Sequence, residues 1–162
     1  MTNTEYTEMV DRGEWPEEVI VPLDTPFTNL NGVIQNLVLK PMNSVAVITS
    51  VKDSIRANHY HKTDWHYASV ISGSVIYLVR EVGSCEIPTP YLIRAGQMFF
   101  TPPMKEHAMI FSELTTFITM ARNVRSHENH EADLVRIKFI DQQVAEGFIE
   151  DFTLGKFQAK IC

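Results

Sequence analysis

From Gly32 onward the chain is cut into short runs of β-branched and aromatic residues, each closed by a turn signal. No other feature limits its fold as strongly. VIQNLVLK (33–40) stops at Pro41-Met42-Asn43, and SVAVITSV (44–51) stops at Lys52-Asp53-Ser54. HYASVI (66–71) reaches Ser72-Gly73-Ser74, from which SVIYLVREV (74–82) starts at once. YLIR (91–94), QMFFT (97–101), HAMIF (107–111), TTFITMARNV (115–124) and LVRIKFI (134–140) complete the series. Strands this short, with little helical periodicity between them, predict an all-β domain, and both a sandwich and a barrel satisfy the pattern.

The flanks read differently. Residues 1–30 are polar and punctuated by Pro16, Pro22 and Pro26, which predicts an irregular N-terminal arm. Residues 31–140 form the β domain, and 141–162 form a short C-terminal extension. Within that extension VAEGFIEDF fits either an amphipathic helix interrupted by Gly147 or a last strand, and HENHEAD (127–133) reads as a charged loop. A chain of 162 residues with 44% hydrophobic content buries a core without staples, so a bound metal is expected to be functional rather than structural.

A net charge of −6 without a Lys/Arg run argues against nucleic acid as a partner. Cys85 and Cys162 form no framework pattern, which suits a reducing compartment. No apolar stretch has the length of a membrane span, and the acidic N-terminus lacks signal-peptide character. The expectation is a cytoplasmic protein acting on a small molecule.

Four of the six histidines fall in two strand-turn segments. His59 and His61 are two apart, which on a strand puts both imidazoles on one face. His66 begins the next run, and His107 opens a strand after the turn from Thr101 to Glu106. Strands distant in sequence but adjacent in a β domain can bring the four rings to one point, where each nitrogen binds a metal at about 2.0–2.1 Å. His127 and His130 lie in the acidic block and read as solvated surface residues.

These spacings resemble the two motifs of the cupin superfamily. The first, G-x5-H-x-H-x(3,4)-E-x6-G, matches His59, His61, His66 and Gly73; the second, G-x5-P-x-G-x2-H-x3-N, matches Gly96, Pro102 and His107. The likeness covers roughly residues 44–125 and implies a small RmlC-like jelly-roll β-barrel. It also implies a divalent metal on His59, His61, His66 and His107, and pairing as a homodimer with the arm, carrying Trp15 and Phe27, over the partner barrel. Asp53 and Met104 replace glycines of the motifs, Phe111 replaces the asparagine, and His66 stands where the family usually has glutamate.

Four neutral imidazoles would leave a divalent ion at +2, which favours an anionic or developing-anion substrate. They suit iron, nickel, zinc, copper or cobalt, with manganese also allowed, better than magnesium or calcium. Three activities follow. One is an isomerase or epimerase that uses the metal as a Lewis acid on a sugar-like substrate. The second is a non-haem iron dioxygenase, and the third a non-catalytic module that binds a metal or small molecule. Many nucleotide-sugar epimerases of the superfamily work without metal, through a His-Asp pair and a tyrosine.

Strand alternation extends the reading. With His59, His61, His66 and His107 inward, Ala68, Val70, Met109 and Phe111 line the cavity, while Arg56, Asn58 and Tyr60 face away. Phe99 and Phe100 fall on opposite faces. Trp65, Tyr67, Met98 and Met104 are expected to be packing residues, and Tyr77, Gln35 and Arg122 are cavity polar groups if their alternation puts them inside. Asp64 and Glu106 adjoin ligands in sequence and are candidates to orient an imidazole, a solvated turn being the commoner role for each.

Overall fold

The computed structural model describes residues 15–156. Eleven strands are described: β1 (Phe27–Asn29), β2 (Gly32–Ile34), β3 (Ser44–Ser50), β4 (Ile55–His61), β5 (His66–Ser72), β6 (Ser74–Glu81), β7 (Thr89–Arg94), β8 (Met98–Thr101), β9 (Lys105–Ile110), β10 (Thr115–Ala121) and β11 (Leu134–Arg136). Two helices follow β10 and β11, α1 (His127–Asp133) and α2 (Gln142–Thr153). All the pairings are antiparallel. They give a four-stranded sheet, β3-β10-β5-β8, a five-stranded sheet, β11-β4-β9-β6-β7, and a β1-β2 hairpin. The ladders therefore make two facing sheets rather than one closed ring.

Alternation sorts the buried apolar residues of the two main sheets into three layers. Between the sheets lie Ala68, Val70, Tyr77, Phe99, Met109, Phe111 and Phe117. Outside the five-stranded sheet, Ile76, Leu78, Ala108 and Ile110 are covered by Ile140, Ala145, Phe148 and Phe152 from and around α2. Outside the four-stranded sheet, Trp65, Tyr67, Met98 and Phe100 pack under Val21, Leu23, Leu37 and Val38. Phe99 and Phe100 thus face opposite layers, as alternation requires. Each such side chain removed from water contributes about 1.5–3 kcal/mol.

The arm follows the edge of the four-stranded sheet. Val21 N–H donates to the Met98 carbonyl at 2.8 Å, and Phe100 N–H donates to that of Val19 at 3.0 Å. Trp15 rests against Phe100 of the same chain, with ring centres 6.1 Å apart. Of the expected run 33–40, only the segment to Ile34 is strand, in a hairpin with β1 that straddles residue 30; Leu37 and Val38 serve as irregular cover for the third layer. LVRIKFI shortens to Leu134–Arg136, because Ile137 N–H and Ile140 N–H turn to Asn58. VAEGFIEDF resolves as the helix α2, capped by Asp141, which accepts from Val144 N–H at 2.8 Å.

Two motif substitutions keep the backbone of the glycines they replace. Asp53 has φ 65° and Met104 φ 58°, alongside Gly73 at 80° and Gly96 at 88°. The turns before His59 and His107 retain left-handed residues even where glycine is absent.

The expected outward placement of Arg56 is corrected. Ala57 and Asn58 both have positive φ, at 68° and 54°, and the β4-β9 register shifts between Ala57 and His59. This bulge reverses the alternation, so Arg56 lies opposite Met109 on the inner face. There its Nε–H donates to Ser50 Oγ at 2.6 Å and ties β4 to β3.

A candidate metal centre of buried histidines

The sequence positions the centre through three strands. His59 and His61 come from β4, His107 lies directly opposite His59 on β9, and His66 begins β5. One nitrogen from each of His59, His61 and His107 lies within 4.8 Å of the other two. Ring centres are 4.8 Å apart for His59–His61 and for His59–His107, and 5.7 Å for His61–His107. His66 stands beside this triad but outside its 4.8 Å grouping, with its ring centre 5.5 Å from His61 and 5.7 Å from His107.

Hydrogen bonds decide which nitrogens face the centre. His107 Nδ1–H donates to its own strand, at the Lys105 carbonyl, 3.0 Å away. Its Nε2 is buried and has no hydrogen-bond partner among the described residues. His61 Nδ1–H donates to Asp133 Oδ2 at 3.2 Å, so in the neutral ring Nε2 carries the lone pair. Asp133 also accepts from the Thr63 hydroxyl at 2.6 Å and from the backbone N–H of Thr63 and Asp64 at 2.9 and 3.1 Å. Burial pushes this carboxyl up, but these donors and His61 bring it below its ordinary value. An acceptor that fixes the far nitrogen of an imidazole is the usual support of a metal-ligating histidine.

The centre rejects protons. Burial, then the neighbouring His107 and His61, lower His59 to about 2. Burial and His107 lower His61 to about 3 against the pull of Asp133, and burial lowers His107 to about 4 against its bond to Lys105. His66 falls well below its ordinary value through burial and the adjacent Arg125 guanidinium. Three converging neutral imidazoles, one with an orphaned buried lone pair, form a donor set that fits a transition-metal ion.

Two residues the sequence reading placed elsewhere belong to this site. HENHEAD is not a solvated loop but α1, folded over the centre, and His130 on it is half-buried with its ring centre 5.6 Å from His61 and 6.2 Å from His59. His130 is thereby corrected from a surface residue, while His127 remains exposed. The signal for α1 was present in Ser126, whose hydroxyl caps it by accepting from Asn129 N–H, with Glu128 in the first turn. Asp133, the last residue of α1, is the carboxylate that orients an imidazole.

The other candidates are accounted for. Asp64 is buried and pairs with Arg125 at 2.8 Å; Glu106 pairs with Arg80 at 2.6 Å. Neither bonds a ring of the triad. Tyr77 is inside, its hydroxyl bonded to Thr101 Oγ1 at 2.9 Å, and burial raises its pKa. Gln35 is outside, donating to the Asp24 carbonyl, and the Arg122 guanidinium donates to Asn123.

Two facing antiparallel sheets with clustered histidines between them give a jelly-roll fold. Solved structures with RmlC-like jelly-roll folds are similar to it. A 3,4-ketoisomerase from Helicobacter canadensis superposes with a TM-score of 0.59 at 15% identity, over 82% of this chain and 96% of that one. The sugar 3,4-ketoisomerase QdtA from Thermoanaerobacterium thermosaccharolyticum, solved with TDP, gives 0.57 at 17% identity, over 82% and 92%. The dTDP-6-deoxy-D-glucose-3,5-epimerase RmlC from Legionella pneumophila, in complex with dTDP-4-keto-L-rhamnose, gives 0.55 at 16% identity, over 75% and 73%. At these identities the likeness concerns the fold. No protein-family model and no curated protein matches the sequence. Among the described residues no helix is long and apolar enough to cross a membrane.

Proposed function

We propose that the chain is an isomerase or epimerase for a keto sugar or similar oxygenated substrate, with a divalent transition metal held by His59, His61 and His107. The observation that carries this reading is the convergence of three imidazole nitrogens within 4.8 Å, with His107 Nε2 buried and unpartnered. Sugar-nucleotide isomerases and epimerases among the structural neighbours support the substrate class. A metal bound there supplies Lewis acidity toward carbonyl and hydroxyl oxygens.

The chain's own groups do the rest. Asp133 fixes His61, and the Lys105 carbonyl fixes His107, so both present Nε2 to the centre. The apolar wall of Ala68, Val70, Phe99 and Met109 keeps the interior poor in water. His130 faces His59 and His61 from α1, and burial, with Arg125, lowers its pKa from the ordinary 6.5. It is the side chain assigned to move the proton at a carbon beside the substrate carbonyl. Tyr77 is unsuited to that role, because its hydroxyl is bonded to Thr101 and resists ionisation.

The His61–Asp133 pair favours a second reading, proton transfer by that pair with no metal. The low proton affinity of His61 makes it a weak base and counts against this alternative.

The test is incubation in D2O of untagged protein with TDP-4-keto-6-deoxyglucose, the ligand of a neighbouring ketoisomerase structure. Deuterium uptake beside the carbonyl is read by mass spectrometry, before and after chelation. Exchange that stops on chelation and returns with metal is expected. Exchange indifferent to chelation supports the His61–Asp133 reading, and oxygen uptake without exchange supports a dioxygenase.

A further inference from the structure

Arg125 does something to His66 that the motif does not anticipate. Its Nη2–H donates to His66 Nδ1 at 3.0 Å, while its Nε–H donates to Asp64 Oδ2 at 2.8 Å. Asp64 is 1% exposed and also accepts from Asn123 N–H at 2.9 Å, so the guanidinium is anchored from behind. A guanidinium has only hydrogens to offer and is always protonated. His66 Nδ1 must therefore be the unprotonated, accepting nitrogen. In a neutral imidazole the proton then sits on Nε2, the nitrogen turned away from Arg125.

A nitrogen that carries a proton has no lone pair for a metal, and the other nitrogen of His66 is occupied by Arg125. The two rings with an identified Nδ1 partner in the triad show the opposite arrangement. His61 and His107 each donate from Nδ1, to Asp133 and to the Lys105 carbonyl, and keep Nε2 as a lone pair. The acceptors behind the triad make ligands; the donor behind His66 makes an N–H group. The grouping of ring nitrogens within 4.8 Å, which takes in His59, His61 and His107 and leaves His66 out, agrees.

We infer that the Asp64–Arg125 pair locks His66 as an Nε2–H hydrogen-bond donor beside the triad, so that His66 binds an oxygen of the substrate and is not a fourth metal ligand. This rests on the reading of His59, His61 and His107 as a metal-binding triad. His66 then stabilises the negative charge that develops on a carbonyl oxygen when the adjacent carbon loses its proton. Arg125 and Asp64 are positioning residues: they act through the ring of His66.

Two measurements test the assignment. The first is nitrogen NMR of the metal-free protein labelled with 15N-histidine, which reads the tautomer of His66 directly. A single Nε2–H form is expected in the wild type, with both tautomers appearing in Arg125→Leu and the Nε2–H form regained in Arg125→Lys. A proton on Nδ1 of His66 in the wild type overturns the inference. The second is chelator competition with zinc on His66→Gln and His107→Ala. His66→Gln is expected to stay within about threefold of wild type, while His107→Ala loses about 100-fold or more. An equal loss in both makes His66 a ligand, which sinks this inference and leaves the metal centre standing. A wild-type protein that binds no zinc, cobalt or iron overturns the triad reading itself, and the role of His66 beside it.

Discussion

His61 and Asp133 lie 72 residues apart, yet they meet at 3.2 Å through one hydrogen bond that joins strand β4 to the last residue of α1. The bond fixes which nitrogen of His61 faces the centre. It also ties a helix with no buried residue of its own to the interior of the domain. The carboxylate is built in by four donors, from Thr63, Asp64 and His61, so it is held in place whether or not His61 is engaged elsewhere.

Asp133→Asn keeps the shape of this carboxylate and removes its charge. The amide oxygen is a weaker acceptor for His61 Nδ1–H, and the ring loses both orientation and basicity. Zinc affinity is expected to fall about 10–100-fold, as for other groups that support a ligating imidazole. Chelator competition measures it. Affinity unchanged from wild type would mean that His61 does not bind metal through Nε2.

The depressed imidazoles make the metal-free protein sensitive to acid. In the unfolded chain each histidine takes up a proton near 6.5, while in the fold His107 resists until about 4 and His61 until about 3. Between those limits the unfolded state binds more protons, so stability rises with pH there. The contribution is complete above 6.5 and is lost progressively as pH falls toward the folded values. For the fully buried His107 alone the loss approaches about 3 kcal/mol. Urea unfolding of metal-free protein at pH 7.5 and pH 5 is expected to show a lower midpoint at pH 5, with the difference reduced in His107→Gln.

Much of the site was legible because its determinants are local. His59 and His61 share a strand face, and His107 follows a turn whose left-handed residue, Met104, adopts the conformation of the glycine it replaces. Such features depend on a few consecutive residues. The contribution of α1 was hidden for the opposite reason. HENHEAD has no apolar face, so nothing in its hydrophobicity shows that His130 and Asp133 turn inward; polar contacts to Thr63, Asp64 and His61 hold it there. The direction of Arg56 was lost to a bulge made by Ala57 and Asn58, neither of them a residue that announces positive φ as glycine does. Arg125 lies beyond β10 without a motif of its own, and only the fold brings it to His66, 59 residues away.

Gly73, by contrast, is a motif residue whose requirement can be stated in distances. It has φ +80°, and a Cβ added there would lie 2.5 Å from both the Leu114 carbonyl oxygen and Thr115 Oγ1. The Thr115 hydroxyl is itself committed to the Ser74 carbonyl at 2.9 Å, so it cannot yield freely. Gly73→Ala is expected to cost about 3 kcal/mol, from left-handed strain together with the clash. In a chain of this size that lowers Tm by roughly 6–12 °C. Calorimetry of the two proteins decides it, and a shift under about 2 °C would show that the β5-β6 turn rearranges at little cost.

Asn58 tests whether the bulge in β4 is held or merely tolerated. Its backbone sits at φ 54°, which asparagine accepts more readily than most residues. Its amide donates to the Ile140 carbonyl at 2.8 Å, and its side-chain oxygen accepts from Ile140 N–H at 3.0 Å. Those two bonds clamp the segment leading into α2 onto β4, one residue before His59. Asn58→Ala removes both and leaves a non-glycine residue in the left-handed region. The expected loss is about 2–4 kcal/mol of stability. Asn58→Gly keeps the backbone permitted and loses only the clamp, so it should cost less than alanine. Because His59 follows the bulge, both variants should also weaken zinc binding, alanine more than glycine. If alanine and glycine behave alike, the backbone conformation contributes nothing, and the side-chain clamp alone sets the direction of His59.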